Sequence, residues 1–130
     1  MSVTDLKIAR DPPRYRVILA FDDTQVSMSG TTETELKTFR FHRSAYSPVG
    51  KVVMVVSLWV SGGTGTLRVY IDAETSPRAS FSTTSTSEVF ATLSFSVANL
   101  AYGPHTVRIR CVNSGAYYTY TRYLDAWGEV

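Results

Sequence analysis

Apolar and polar residues alternate one for one along much of the chain. In residues 66–72, Leu67, Val69 and Ile71 fall on one phase, and Arg68 and Tyr70 on the other. In residues 88–97 the apolar phase holds Val89, Ala91, Leu93, Phe95 and Val97. A period of two predicts half-buried β-strands, because successive side chains of an extended chain leave opposite faces. Residues 105–112 repeat the pattern, with Val107, Ile109 and Cys111 in phase. Residues 51–60 are apolar almost throughout, from Val52 to Val60, and rich in β-branched side chains. That composition predicts a central strand covered on both faces.

Weaker patterns fill the rest. Residues 14–21, 33–43, 77–83 and 117–127 read as strands. In residues 33–43, Leu36 is out of phase with Phe39 and Phe41, which one extra residue in a β-bulge would reconcile. Residues 24–32, with Ser27, Ser29 and Gly30, read as a loop. Ser61-Gly62-Gly63-Thr64-Gly65 reads as a tight hairpin connection. No segment holds a helical period. About eight strands at close spacing predict an all-β domain, a two-sheet antiparallel β-sandwich with jelly-roll topology. An immunoglobulin-type sandwich is the alternative, but the chain lacks its Cys…Trp…Cys spacing. Residues 1–13 end in Asp11-Pro12-Pro13, where two prolines break regular structure. They read as an N-terminal arm or linker, and residues 14–130 as one domain.

Composition narrows the functions. At 130 residues there is room for one domain. The net charge of +2 and the dispersal of Arg68, Arg108 and Arg110 along strands argue against a nucleic-acid partner. Cys111 is the only cysteine, in phase with apolar neighbours, and reads as a buried, inert thiol. No run of about twenty apolar residues offers a membrane span. The first twenty or so residues lack a signal-peptide layout, so synthesis in the cytoplasm is expected. Scarce Asn and Gln would suit a hot environment.

Four segments carry a resemblance: Gly65-Thr66-Leu67-Arg68-Val69-Tyr70-Ile71-Asp72, residues 89–100, Tyr102-Gly103-Pro104-His105-Thr106-Val107-Arg108-Ile109, and Tyr123-Leu124-Asp125. Together they resemble jelly-roll β-sandwich modules. Such modules occur as carbohydrate-binding modules and in turret, fibre, tail and decoration proteins of viruses, archaeal ones included. The resemblance covers about residues 51–130 and implies a fold. It transfers no ligand-binding residues, since this fold hosts many activities.

No residue set for catalysis stands out. His42 and His105 are the only histidines and lack a metal-ligand spacing, which speaks against zinc and against a metal-dependent cupin. Phosphate-binding and nucleophile-elbow motifs are missing. The reading is therefore non-enzymatic, with no cofactor. Calcium is the one ion the acids could serve, if Asp22-Asp23 clustered with Asp72, Glu74 and Asp125. Aromatic residues are the stronger signal. Tyr117, Tyr118, Tyr120, Tyr123 and Trp127 crowd the last strand, and Trp59 ends the most apolar one. Tyr117, Tyr123 and Trp127 share one phase and Tyr118 and Tyr120 the other, so both sets cannot fill one core. Such rings anchor protein interfaces and stack on sugars. The first expectation is a structural or attachment subunit on a virion or particle surface, self-associating or joining other subunits through Val52, Met54 or Trp59 and the tyrosine-rich strand. The second is a glycan-binding module using the exposed aromatics.

Overall fold

The computed structural model describes residues 16–130; the expected arm, residues 1–13, lies outside them. Among the described residues ten strands form: β1 (Arg16–Asp22), β2 (Val26–Ser29), β3 (Thr34–Arg43), β4 (Lys51–Val60), β5 (Gly65–Ile71), β6 (Ala79–Thr83), β7 (Val89–Ser96), β8 (Gly103–Asn113), β9 (Tyr118–Thr121) and β10 (Leu124–Glu129). They occupy eight positions. Both β10 and β9 pair with β4, along its first and last residues, and β7 pairs with it too. Outside them, β1 pairs with β10 and β2 with β9. The first sheet therefore runs β1/β2, β10/β9, β4, β7. The second runs β3, β8, β5, β6.

All these pairs are antiparallel and nested: the first position with the last, β3 with β8, β4 with β7, β5 with β6. The chain changes sheet at every connection between positions except the β5–β6 hairpin. That is a jelly-roll β-sandwich.

The alternation builds the core. Val52, Met54, Val56 and Leu58 from β4 meet Leu67, Val69 and Ile71 from β5 and Val107, Ile109 and Cys111 from β8. Each large aliphatic chain buried this way contributes about 1.5–3 kcal/mol. Val52 and Met54 are wholly enclosed, so neither can meet a partner as the sequence reading allowed.

Three expectations change. Residues 24–32 include β2, whose one fully buried apolar residue, Met28, is too weak a signal to see in sequence. The glycine-rich segment after β4 is not a hairpin, because β4 and β5 lie in different sheets; it carries the chain across the end of the sandwich. The last strand is interrupted at Arg122 and Tyr123. The bulge expected near Leu36 is present: the β3–β8 register shifts between Glu35 and Lys37. That shift sets Lys37 in phase with buried Phe39 and Phe41 and turns its side chain into the interior.

Candidate functional site

The interruption of the last strand organises the outer face of the first sheet. Tyr120 sits opposite Trp59, and Leu124 opposite Val56. Between these pairs, Thr121, Arg122 and Tyr123 face only Ser57 and Leu58. One extra residue makes this a β-bulge. Ser57 and Lys37 meet the backbone groups that the extra residue displaces. Arg122 and Tyr123 N–H donate to the Ser57 hydroxyl at 3.1 and 2.9 Å. Ser57 N–H donates to Tyr123 O at 3.1 Å, and the Thr121 hydroxyl donates to Ser57 O at 2.7 Å. The Arg122 carbonyl, turned inward, accepts from the buried Lys37 ammonium at 2.5 Å, which also reaches Asp22 O at 3.3 Å. Burial lowers the Lys37 pKa, against the pull of the Asp22 carboxylate at 3.5 Å.

An extra residue in a period-two element exchanges its faces. Thr119 and Thr121 point inward before the bulge, and Leu124 and Ala126 after it. Tyr118 and Tyr120 therefore share the outer face with Tyr123 and Trp127. The two phases of the sequence reading become one surface.

The rings form two groups. Trp59 and Tyr120 stack with centroids 5.2 Å apart and planes 16° from parallel, and Tyr118 continues the stack at 5.9 Å and 23°. Beyond the bulge, Tyr123 takes Phe21 and Phe90 edge-on at 5.5 and 5.7 Å. Further along, the Arg16 guanidinium lies 5.0 Å over Trp127, whose cross-strand neighbour Ile18 is 86% exposed. Between the groups, Arg122 pairs with Glu88 through two contacts, 3.0 and 3.2 Å. Burial raises the Glu88 pKa, but hydrogen bonds from Ser57 and Arg122 outweigh it and hold the carboxyl below its ordinary value. Exposed hydroxyls flank the face: Ser27 and Ser29 on β2, Thr92 and Ser94 on β7. The outer side of β4, where the sequence suggested an arm or a neighbouring subunit as cover, is shielded by its own sheet: Val53 lies between Trp127 and Ser94, and Ser57 beneath the bulge.

The outer face of the second sheet is different in kind. Glu33 pairs with Arg68 at 3.0 Å and Glu35 with Arg108 at 2.7 Å, while Arg110 approaches both carboxylates. The Tyr70 hydroxyl donates to Glu33 and its ring lies 5.2 Å under Arg110. Burial, then Glu33, raises the Tyr70 pKa. The arginines spread along these strands are held by carboxylates.

Other candidates lie elsewhere. Asp22 and Glu74 pair with the cations Lys37 and Arg78, and Asp72 bonds the His105 ring. Among the described residues no three acids, histidines or cysteines gather to hold a metal. His42 is exposed on β3. Cys111 is fully enclosed, and burial pushes its thiol up to about 12. Tyr117 alone of the tyrosines singled out leaves the sheet face; it covers Gly62 at the end of the sandwich. Sequence reasoning missed Ile18, Phe21 and Phe90. Phe90 had a signal: it occupies the outward phase of an otherwise regular alternation.

No protein-family model matches the chain, and a comparison with curated proteins finds no relative. Solved structures do resemble it. One, "CBM4 structure and function", superposes with a TM-score of 0.53 at 8% identity, over 92% of this chain and 81% of the other. That likeness shows a shared β-sandwich fold. Two others overlap more loosely. A "Carbohydrate-Binding Module CBM36 in complex with calcium and xylotriose" has a TM-score of 0.45 at 15% identity, over 89% of this chain and 99% of that one. A "TmCBM61 in complex with beta-1,4-galactotriose" has 0.42 at 7% identity, over 88% of each chain.

Proposed function

We propose that this domain is a non-catalytic carbohydrate-binding module whose recognition surface is the outer face of the first sheet. One observation carries the reading: a single β-bulge collects Trp59, Tyr118, Tyr120, Tyr123 and Trp127 on one face. Aromatic rings take up the C–H faces of sugars, and hydroxyls and a charged pair beside them can bond sugar hydroxyls. The fold shared with a CBM4 structure supports this reading.

The second reading is a structural or attachment subunit on a virion or particle surface. It draws on Ile18, Phe21 and Phe90, exposed hydrocarbon side chains on the same face that suit contact with protein. One experiment separates the two. The domain is screened on a glycan array and weighed in solution by light scattering, beside a Tyr118→Ala/Tyr120→Ala variant. Glycan binding by a monomer, weakened about tenfold or more in the variant, is the expected result. A discrete oligomer that binds no glycan would replace the first reading with the second.

A further inference from the structure

Tyr117 lies where three connections meet at one end of the sandwich. Its carbonyl accepts from Gly30 N–H at 3.2 Å, in the β2–β3 connection. Its ring lies against Gly62 and Gly63, between β4 and β5, and Gly115, between β8 and β9. A Cβ added to Gly62 would stand 2.6 Å from both Cδ1 and Cε1 of the ring and 3.1 Å from Cγ. A point beyond the ring edge at that distance from Cδ1 and Cε1 would be much further from Cγ. The Gly62 backbone therefore backs a face of the ring, and only a residue without a side chain permits so close an approach.

The bed under the ring is rigid. Buried Asn113 donates to Gly62 O and to the Thr119 hydroxyl, both at 3.1 Å, and accepts from Gly115 N–H at 2.9 Å. Ser114 N–H and hydroxyl bond Thr64 O and N–H, both at 2.9 Å. One face of Tyr117 is thus packed on the hydrogen-bonded Gly62 backbone, with Gly115 beyond the opposite edge of the ring, while the residue as a whole stays 48% exposed. A ring fixed before binding loses little freedom on contact.

Two of the three connections are uncharged; the third ends in Glu33, which pairs with Arg68 at 3.0 Å. Residues 60–66 and 112–119 contain no Asp, Glu, Lys, Arg or His, and they carry the hydroxyls of Ser61, Thr64 and Ser114. A flat ring among hydroxyls and peptide groups suits a flat, neutral, hydroxylated ligand. Tyr117 is also separate from the sheet-face stack: Tyr118, next in the chain, stands on the outer face with Tyr120.

We infer that Tyr117, laid on Gly62 and bordered by Gly63 and Gly115, is a second saccharide contact at the end of the sandwich, taking the C–H face of a neutral pyranose. This rests on the carbohydrate reading above. The test is titration of the domain with neutral oligosaccharides (cellohexaose, xylohexaose and galactotriose), followed by calorimetry and by the amide resonances of Gly62, Gly63 and Gly115. Those resonances shift on binding in the wild type and in Tyr118→Ala/Tyr120→Ala. They stop shifting in Tyr117→Ala, which binds about tenfold more weakly. Tyr117→Phe keeps the ring and restores both, and Gly62→Ala, which drives a methyl into the ring, behaves as Tyr117→Ala. Wild-type affinity and shifts in Tyr117→Ala, with binding lost in Tyr118→Ala/Tyr120→Ala, would overturn the second contact and leave the sheet face standing. Equal shifts with a polyuronic or sulfated oligosaccharide would overturn the neutral preference. No binding of any saccharide by the wild type would overturn both readings.

Discussion

The hydroxyl of Ser57 accepts the backbone N–H of Tyr123 at 2.9 Å, in the middle of the most apolar strand of the chain. The same oxygen accepts Arg122 N–H. One buried serine thus holds the bulge that places Tyr123 and Trp127 beside Tyr118 and Tyr120. Replacing it by alanine leaves two N–H groups without that acceptor. Ser57→Ala is expected to lose about 1–3 kcal/mol in urea unfolding and to weaken glycan binding, although Ser57 lies beneath the rings. Unchanged stability would mean the bulge holds by register alone.

Lys37 serves the inward side of the same bulge. Lys37→Met keeps the buried stem but strips the Arg122 and Asp22 carbonyls of their donor. Destabilisation of about 1–3 kcal/mol is expected by thermal or urea melting. A more stable variant would mean that desolvating the ammonium costs more than its bonds return.

His105 gives a pH dependence. Its Nδ1 lies 2.7 Å from Asp72 Oδ2 and its Nε2 2.8 Å from Ala101 O, so both ring nitrogens face acceptors. Only the doubly protonated ring donates to both. The bond to Asp72, then that to the Ala101 carbonyl, raises the His105 pKa above its ordinary 6.5, against burial and the nearby Arg43 charge. The folded state therefore binds the proton more tightly than the unfolded one. The stabilisation is complete below about pH 6.5 and fades as pH rises through the folded value. The melting temperature should fall across that window in the wild type and stay flatter in His105→Gln.

Cys111 offers a test of native packing. Its thiol is enclosed in the core and its pKa lies at about 12, so almost no thiolate exists at neutral pH. Ellman's reagent should leave the native domain untouched and react with one thiol per chain in denaturant. Fast labelling of the native domain would mean the two sheets separate readily.

How far the sequence discloses this molecule depends on what each residue type reports. Leu67, Val69 and Ile71 have one place to go, so β5 reads directly, as do β7 and β8. The bulge near Leu36 is legible because Leu36 and Phe39 are apolar on opposite phases. The bulge at Arg122 is not, because tyrosines flank it, and a tyrosine serves a core or a surface equally well. Its one trace is Ser57, a lone polar residue amid valines. Gly62 and Gly63 announce a turn, but a turn signal does not say which sheet receives the next strand. The aromatic residues were legible by type; that four of them share a face with Trp59 follows from a register that only the fold sets.

The nesting of the strands bears on how the domain forms. Ile18 pairs beside Trp127, and Arg16 beside Glu129, from opposite ends of the described chain. Only the innermost pair, β5 with β6, joins strands that are neighbours in sequence, across residues 72–78. Topologies dominated by distant contacts fold slowly, on the order of milliseconds to seconds, because long loops must close before their contacts are gained. On a ribosome, β1 would wait for the last-made strand, and until β10 arrives β4 keeps a free edge. The sheet that bears the aromatic face is therefore the last to close.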